Sequence, residues 1–244
     1  MLAQLSANHF RNLEPRVWQP APGSHLLLGG NGAGKTSLLE AAYVLATTKS
    51  FRTHQLGDCI AHGEELFHLA GEVESERRTR LEVGWGKSWR LRRVNDKPSA
   101  LAEHLAALPV VAWTAADGEI LSGPPGLRRR FLDRGVIGLK PVALEVVGRY
   151  RQALHQKREL LAGSGEGLDA WNGVLAGAAS ELIELRKAYV DALCRHFAEV
   201  LAESALPFPA VELRYRPSPA SGPVATKNTG CASRNVAIPA SMAA

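Results

Sequence analysis

Apolar positions change their spacing along the chain, and each change marks a different kind of element. Leu2, Leu5 and Phe10 begin a strand-like segment, and Val17 with Trp18 offers a second before Pro20. Residues 25–28 form a short apolar run that stops at Gly29, the pattern of a buried strand feeding a loop. From Lys35 to Ala46 helix formers take over, with Leu38, Leu39, Ala42 and Leu45 spaced for one buried face. Between Leu66 and Val94 the period drops to two, as in Leu69, Gly71, Val73 and then Leu81, Val83, Trp85, which predicts an antiparallel meander.

After Leu108 the pattern turns helical. Leu144, Val147, Tyr150, Leu154 and Leu161 predict one helix, ended by the glycine-containing run 163–167. Trp171, Leu175, Ala178, Leu182, Leu185, Tyr189 and Ala192 step by four and three, a seam that must pack on another helix. Residues 217–244 lack aromatics, acids and periodicity, and are expected to be disordered because they bury too little apolar area to offset their ordering entropy. The predicted organisation is a base over 1–112, a helical hairpin lobe over 113–216 and a tail over 217–244.

The chemistry lies at the end of the first apolar run. Gly29, Gly30, Asn31, Gly32, Ala33, Gly34, Lys35 and Thr36 satisfy G-x-x-x-x-G-K-[ST] at every position, between a predicted strand and a predicted helix. Glycines there let successive backbone N–H groups converge on a phosphate, and the helix start adds its positive dipole end. In this reading Lys35 bridges the β- and γ-phosphates of ATP and the Thr36 hydroxyl serves Mg²⁺. The guanine-reading N-K-x-D of a small GTPase is absent, since residues 95–98 run Asn-Asp-Lys-Pro. So is an apolar strand ending in an acidic pair. The nearest stretch, 108–113, has Asp117 and Glu119 too far behind it and is read as a connector.

Composition adds limits. The 244 residues are 45% hydrophobic and 22% charged, room for one large domain or two smaller ones. Lysine and arginine number 29 against 24 acidic residues, giving +5 and a modest leaning toward polyanions. Arg77, Arg78, Arg90, Arg92 and Arg93 crowd the meander and are the candidate DNA contacts, against the alternative of a solvated sheet face. The three cysteines are scattered without a CxxC, which favours a reducing compartment and argues against zinc and disulfides. No run approaches the roughly 18 apolar residues of a membrane helix. The expected location is the cytoplasm.

Several strings resemble the RecF family. Phe10-Arg11-Asn12, the glycine loop, the helix from Ser37 through Glu40 to Tyr43, and Ser50-Phe51-Arg52-Thr53 are similar to its opening. Gly123-Pro124-Pro125 with Arg128, Arg129, Phe131, Leu132 and Asp133 resembles its G-x-P-x-x-R-R-x-F-L-D segment, and Tyr150-Arg151 with Gln156-Lys157-Arg158 a later helix. The resemblance implies an α/β fold: an ABC-type P-loop ATPase head, like those of SMC and Rad50 proteins, with an inserted helical lobe. It also implies binding at single-strand/double-strand DNA junctions and stalled replication forks, dimerisation around ATP, and work with RecO and RecR.

Two departures qualify it. Thr114-Ala115-Ala116-Asp117 stands where the family has S-P-E-D, and the later signature and Walker B segments are absent from the sequence. The expectation is therefore a head lacking its C-terminal strands, a tail of truncated or out-of-frame character, and negligible ATP hydrolysis. Two alternatives remain: another P-loop enzyme such as a nucleotide kinase, and a non-catalytic helical module with a vestigial loop.

Overall fold

The computed structural model describes residues 1–163, 165–204 and 213–217, which form two compact units. The first takes in Met1–Arg128 and Ile137–Val142, and the second Arg129–Val136 together with the residues from Ala143 onward. Beyond Pro217, the expectation for 217–244 lies outside the described residues.

The first unit is built on a six-stranded sheet in the order β2-β1-β3-β4-β5-β6, every neighbouring pair antiparallel. Its strands are β1 (Leu2–Asn8), β2 (Arg16–Trp18), β3 (Leu66–Val73), β4 (Thr79–Gly86), β5 (Arg90–Val94) and β6 (Lys97–Pro98). The period-two pattern is realised in β3, where Phe67, Leu69, Gly71 and Val73 face inward and alternate with half-buried or exposed neighbours. Helix α1 (Lys35–Thr47) lies on that inner face through Ala41, Val44 and Leu45. Gly71 admits it: a Cβ there would sit 2.5 Å from Leu45 Cδ2 and 2.7 Å from the Gln4 carbonyl. Helix α2 (Leu101–Ala107) pins the same region, with the ring of buried His104 2.6 Å from the Leu45 carbonyl through Nε2. The burial that hides this imidazole also lowers its pKa, so it is held neutral.

The run at 25–28 departs from expectation. It forms no strand, and Leu26 and Leu28 are each 81% exposed. A buried strand needs a partner on each edge to satisfy its backbone. None of the six described strands pairs with this run.

Short helix α3 (Glu119–Ser122) and helix α4 (Pro125–Leu139) follow, with Arg128 donating to the Ile120 and Gly123 carbonyls at 3.1 and 2.8 Å. In the second unit α5 (Ala143–Ala162) packs on α6 (Leu168–Glu203). The seam on α6 runs through Ala178, Leu182, Arg186 and Val190. An arginine enters that apolar stripe because Asp133 of α4 meets it: Arg186 donates at 3.0 and 2.5 Å to one carboxylate oxygen, and Arg151 of α5 at 3.0 Å to the other. Burial alone would lower the Arg186 pKa; its hydrogen bonds to Asp133 and Tyr215 outweigh that and raise it. Asp133 thus pairs with Arg151 and Arg186, both distant in sequence.

Candidate nucleotide-binding site

The glycine loop takes its shape from the chain on both sides. Gly29, Gly32 and Gly34 have φ of 155°, 81° and 85°, values that side chains resist. Gly34 is left-handed immediately before α1 and turns the chain into the helix. Among the described residues, the N–H groups of Gly32, Gly34, Lys35 and Thr36 donate to no protein acceptor, so the turn presents a row of open donors at a helix N-terminus. Thr36 is exposed at the second helical position. Lys35 folds back, its Nζ donating to the Gly29 and Gly30 carbonyls at 2.8 and 2.7 Å.

Asn12 braces the loop from outside. Its Nδ2 donates to the Gly32 carbonyl at 2.5 Å, and its Oδ1 accepts from Ser37 Oγ at 2.7 Å. Its position follows from the exit of β1. His9 and Arg11 both have φ of 53°, a region costly for residues with a Cβ. Backbone bonds from Ala61 N to His9 O and from Arg11 N to Cys59 O, each 2.8 Å, hold that kinked course. The kink sends Phe10 into the core, Arg11 onto α1 and Asn12 toward the loop.

Arg11 meets Glu40, whose carboxylate is completely buried. Arg11 Nε and Nη2 donate to it at 3.0 and 2.7 Å, Ser50 Oγ at 2.6 Å and Arg52 Nη1 at 3.2 Å. Burial opposes ionisation of Glu40, but the bonds from Arg11 and Ser50 prevail and hold its pKa below the usual carboxylate range. Beside it, burial and then the Glu40 charge push the Cys59 thiol up to about 12. Arg11, Glu40, Ser50 and Arg52 all stand in strings that resemble the RecF family, and that is the signal the sequence carries for them.

The five candidate arginines do not form one surface. In β5 the alternation puts Arg90 and Arg92 on the core side with Trp85 and Val83, and Arg93 on the opposite side with Glu82. Arg92 donates to the Ser99 carbonyl at 2.9 Å, Arg93 lies 3.9 Å from Glu82 and Arg78 2.6 Å from Glu72. Arg77 stands in the β3–β4 turn. The connector at 108–113 precedes a capping box in which Asp117 accepts from the Thr114 amide and hydroxyl, both at 2.8 Å. Among the described residues no cluster of three or more His, Cys, Asp or Glu could hold a metal, and no helix is long and apolar enough to span a membrane.

A glycine turn opening onto a helix N-terminus over an antiparallel sheet, with a separate helical unit, defines the class as an ABC-type P-loop ATPase head. No family model matches the chain. Curated relatives do. The DNA replication and repair protein RecF of Chlorobium luteolum is 34% identical over 209 residues, 80% of this chain and 56% of that protein. Those of Stenotrophomonas maltophilia and an Anaeromyxobacter species are 33% and 32% identical, covering 84% and 91% of this chain and 58% and 60% of their own lengths. Among solved structures, the recombination mediator protein RecF-ATP of the RecFOR pathway superposes with a TM-score of 0.76 at 26% identity, and RecF-ATPrS with 0.77 at 25%. Each match covers 84% of this chain, and 57% and 58% of those chains respectively. RecF proteins are thus homologues of this chain along most of its length, and it spans under two thirds of theirs.

Proposed function

We propose that this chain binds ATP at Gly29, Gly30, Asn31, Gly32, Ala33, Gly34, Lys35 and Thr36, and acts in DNA replication and repair of RecF type. The carrying observation is the row of open amides at the start of α1 with Lys35 beside it. These groups fit a polyphosphate: the amides and helix dipole receive an anion, and Lys35 exchanges two carbonyl acceptors for phosphate oxygens. The exposed Thr36 hydroxyl is the residue to hold Mg²⁺, which when bound offsets phosphate charge. Asn12 keeps the loop open for this exchange. Further proposals follow the RecF likeness: action at single-strand/double-strand DNA junctions and stalled forks, RecO and RecR as partners, an ATP-dependent homodimer, and a cytoplasmic location. Arg77, Arg78, Arg90, Arg92 and Arg93 are the proposed DNA contacts, acting from two faces. Hydrolysis by this chain alone is negligible, because the sequence supplies no acidic pair ending an apolar strand to order Mg²⁺ and water.

The test is Mg·ATP binding by calorimetry for wild type and Lys35→Ala. A lost lysine–phosphate bond typically costs about 1.5–3 kcal/mol, so the variant binds at least about tenfold more weakly. Equal affinities refute the assignment. Lysine-dependent phosphate release at a steady rate refutes the statement on hydrolysis.

A further inference from the structure

A cleft of about 780 Å³ opens at the opposite end of α1 from the glycine loop, lined by residues 48–50 and 53–57, Glu65 and the β4–β5 turn. Thirteen helical residues separate the two. At about 1.5 Å each they amount to roughly 20 Å, so the cleft is no extension of the loop. Its size falls within the ~300–1,000 Å³ typical of small-ligand sites.

Its aromatic wall is Trp85, and Arg90 lies over the indole 3.2 Å from the ring centroid. The guanidinium is fixed there by the carbonyls of Gly86 and Trp89. A cation on an aromatic plate is therefore ordered in advance, with no side-chain entropy left to lose. Lys49 and Lys87 line the cleft from the 48–57 loop and the β4–β5 turn. Both are exposed, and among the described residues neither ammonium has an acidic or hydrogen-bonding partner. The Trp85 indole N–H is likewise unpartnered among the described residues, and it lies beside Gly57, where a Cβ would stand 3.9 Å away. Glu65 is the carboxylate in the lining.

We propose that this cleft binds a short stretch of single-stranded DNA, with a base stacked on the Arg90–Trp85 plate and backbone phosphates on Lys49 and Lys87. Guanidinium planes and indoles are stacking surfaces for any unpaired base, and lysines follow a phosphodiester chain without reading sequence. A free mononucleotide shares this chemistry but fits less well. Its terminal phosphate carries more than one charge at neutral pH, and α1 presents its C-terminal, negative end here. Singly charged phosphodiesters on two separate walls meet less repulsion from that end, since each carries one charge and the one nearest it is paired with Lys49. The assignment rests on the DNA-binding reading above and gives it a location.

The experiment measures fluorescence anisotropy of a labelled oligothymidylate with the full chain, against Lys49→Glu/Lys87→Glu. The double variant is expected to bind at least tenfold more weakly. Its log–log salt slope should be shallower by about 1.4, from ~0.7 per single-strand phosphate contact. Circular dichroism and unchanged Mg·ATP affinity verify its fold; if it misfolds, Lys49→Gln/Lys87→Gln is held to the same criteria. Wild-type binding that the double variant retains in full overturns the cleft while leaving the DNA reading standing. A wild type that binds neither single-stranded nor duplex DNA at low salt overturns both. Thymidine monophosphate competing as tightly as the oligomer assigns the cleft to free nucleotides and overturns the strand proposal.

Discussion

Replacing Glu40 by alanine tests whether the ion cluster behind the glycine loop holds the first unit together. The carboxylate is wholly buried and accepts from Arg11, Ser50 and Arg52, so its removal strands two guanidinium groups. Deleting one partner of a fully buried pair costs about 3–5 kcal/mol. Here the Arg11 and Arg52 side chains are 20% and 45% exposed, and water recovers part of that. The expected loss is about 3 kcal/mol, which for a chain of this size is a fall of roughly 6–12 °C in Tm. Thermal and urea denaturation followed by circular dichroism measure it. The pH dependence has a definite sign. Glu40 has a lowered pKa in the folded state, so its contribution is complete above the unfolded value and is lost as pH falls through the folded one. The stability gap between wild type and Glu40→Gln must therefore narrow in acid. A loss below about 1 kcal/mol, or a gap indifferent to pH, refutes the reasoning.

The remaining predictions concern other sites. Asp133→Asn leaves Arg186 buried against a neutral amide and should destabilise the helical unit by about 2–4 kcal/mol, read as a lower urea midpoint; an unchanged midpoint contradicts it. Gly135→Ala gains about 1 kcal/mol of helix propensity. Its Cβ would overlap the Tyr189 ring, an overpacking that costs about 1–3 kcal/mol. A net loss of stability is expected, and a more stable variant would show that the ring yields freely. Cys59, buried with its thiol pushed up to about 12, should resist thiol-specific reagents until the protein is denatured; rapid labelling of the native chain would show otherwise.

Local patterns carried much of the architecture. The alternation in β3 and the four-and-three stepping of α6 report burial, because side-chain direction follows the backbone period. In β4 the buried stretch runs unbroken through Leu81, Glu82, Val83 and Gly84, and on α1 the buried face is Ala41, Val44 and Leu45, with Leu38 and Ala42 at its margin and Leu39 52% exposed. The glycine loop was legible from its composition: Gly29, Gly32 and Gly34 sit where the backbone takes positive φ. Pairing was harder to read. Residues 25–28 look apolar enough for a strand, but a strand exists only where another edge meets it. The arginines of β5 crowd together in sequence, yet the pleat divides them between faces and carbonyls or carboxylates occupy several. Arg186 was hidden in an apolar seam because its partner, Asp133, is 53 residues away. The Glu40 cluster joins residues of β1's exit, α1 and the following loop, a convergence that single-chain spacing does not encode.

The notch at Gly71 bears on how the two ends of α1 communicate. With Leu45 seated over that glycine and its carbonyl held by His104, the C-terminal half of the helix is moored to the sheet, while its first turn carries the open amides. A helix moored in this way is a stiff rod between the proposed nucleotide loop at one end and the proposed DNA cleft at the other. Whatever factor one ligand imposes on the affinity of the second, the second must return to the first. A titration of DNA with and without nucleotide and the converse titration of nucleotide with and without DNA would read the same coupling twice.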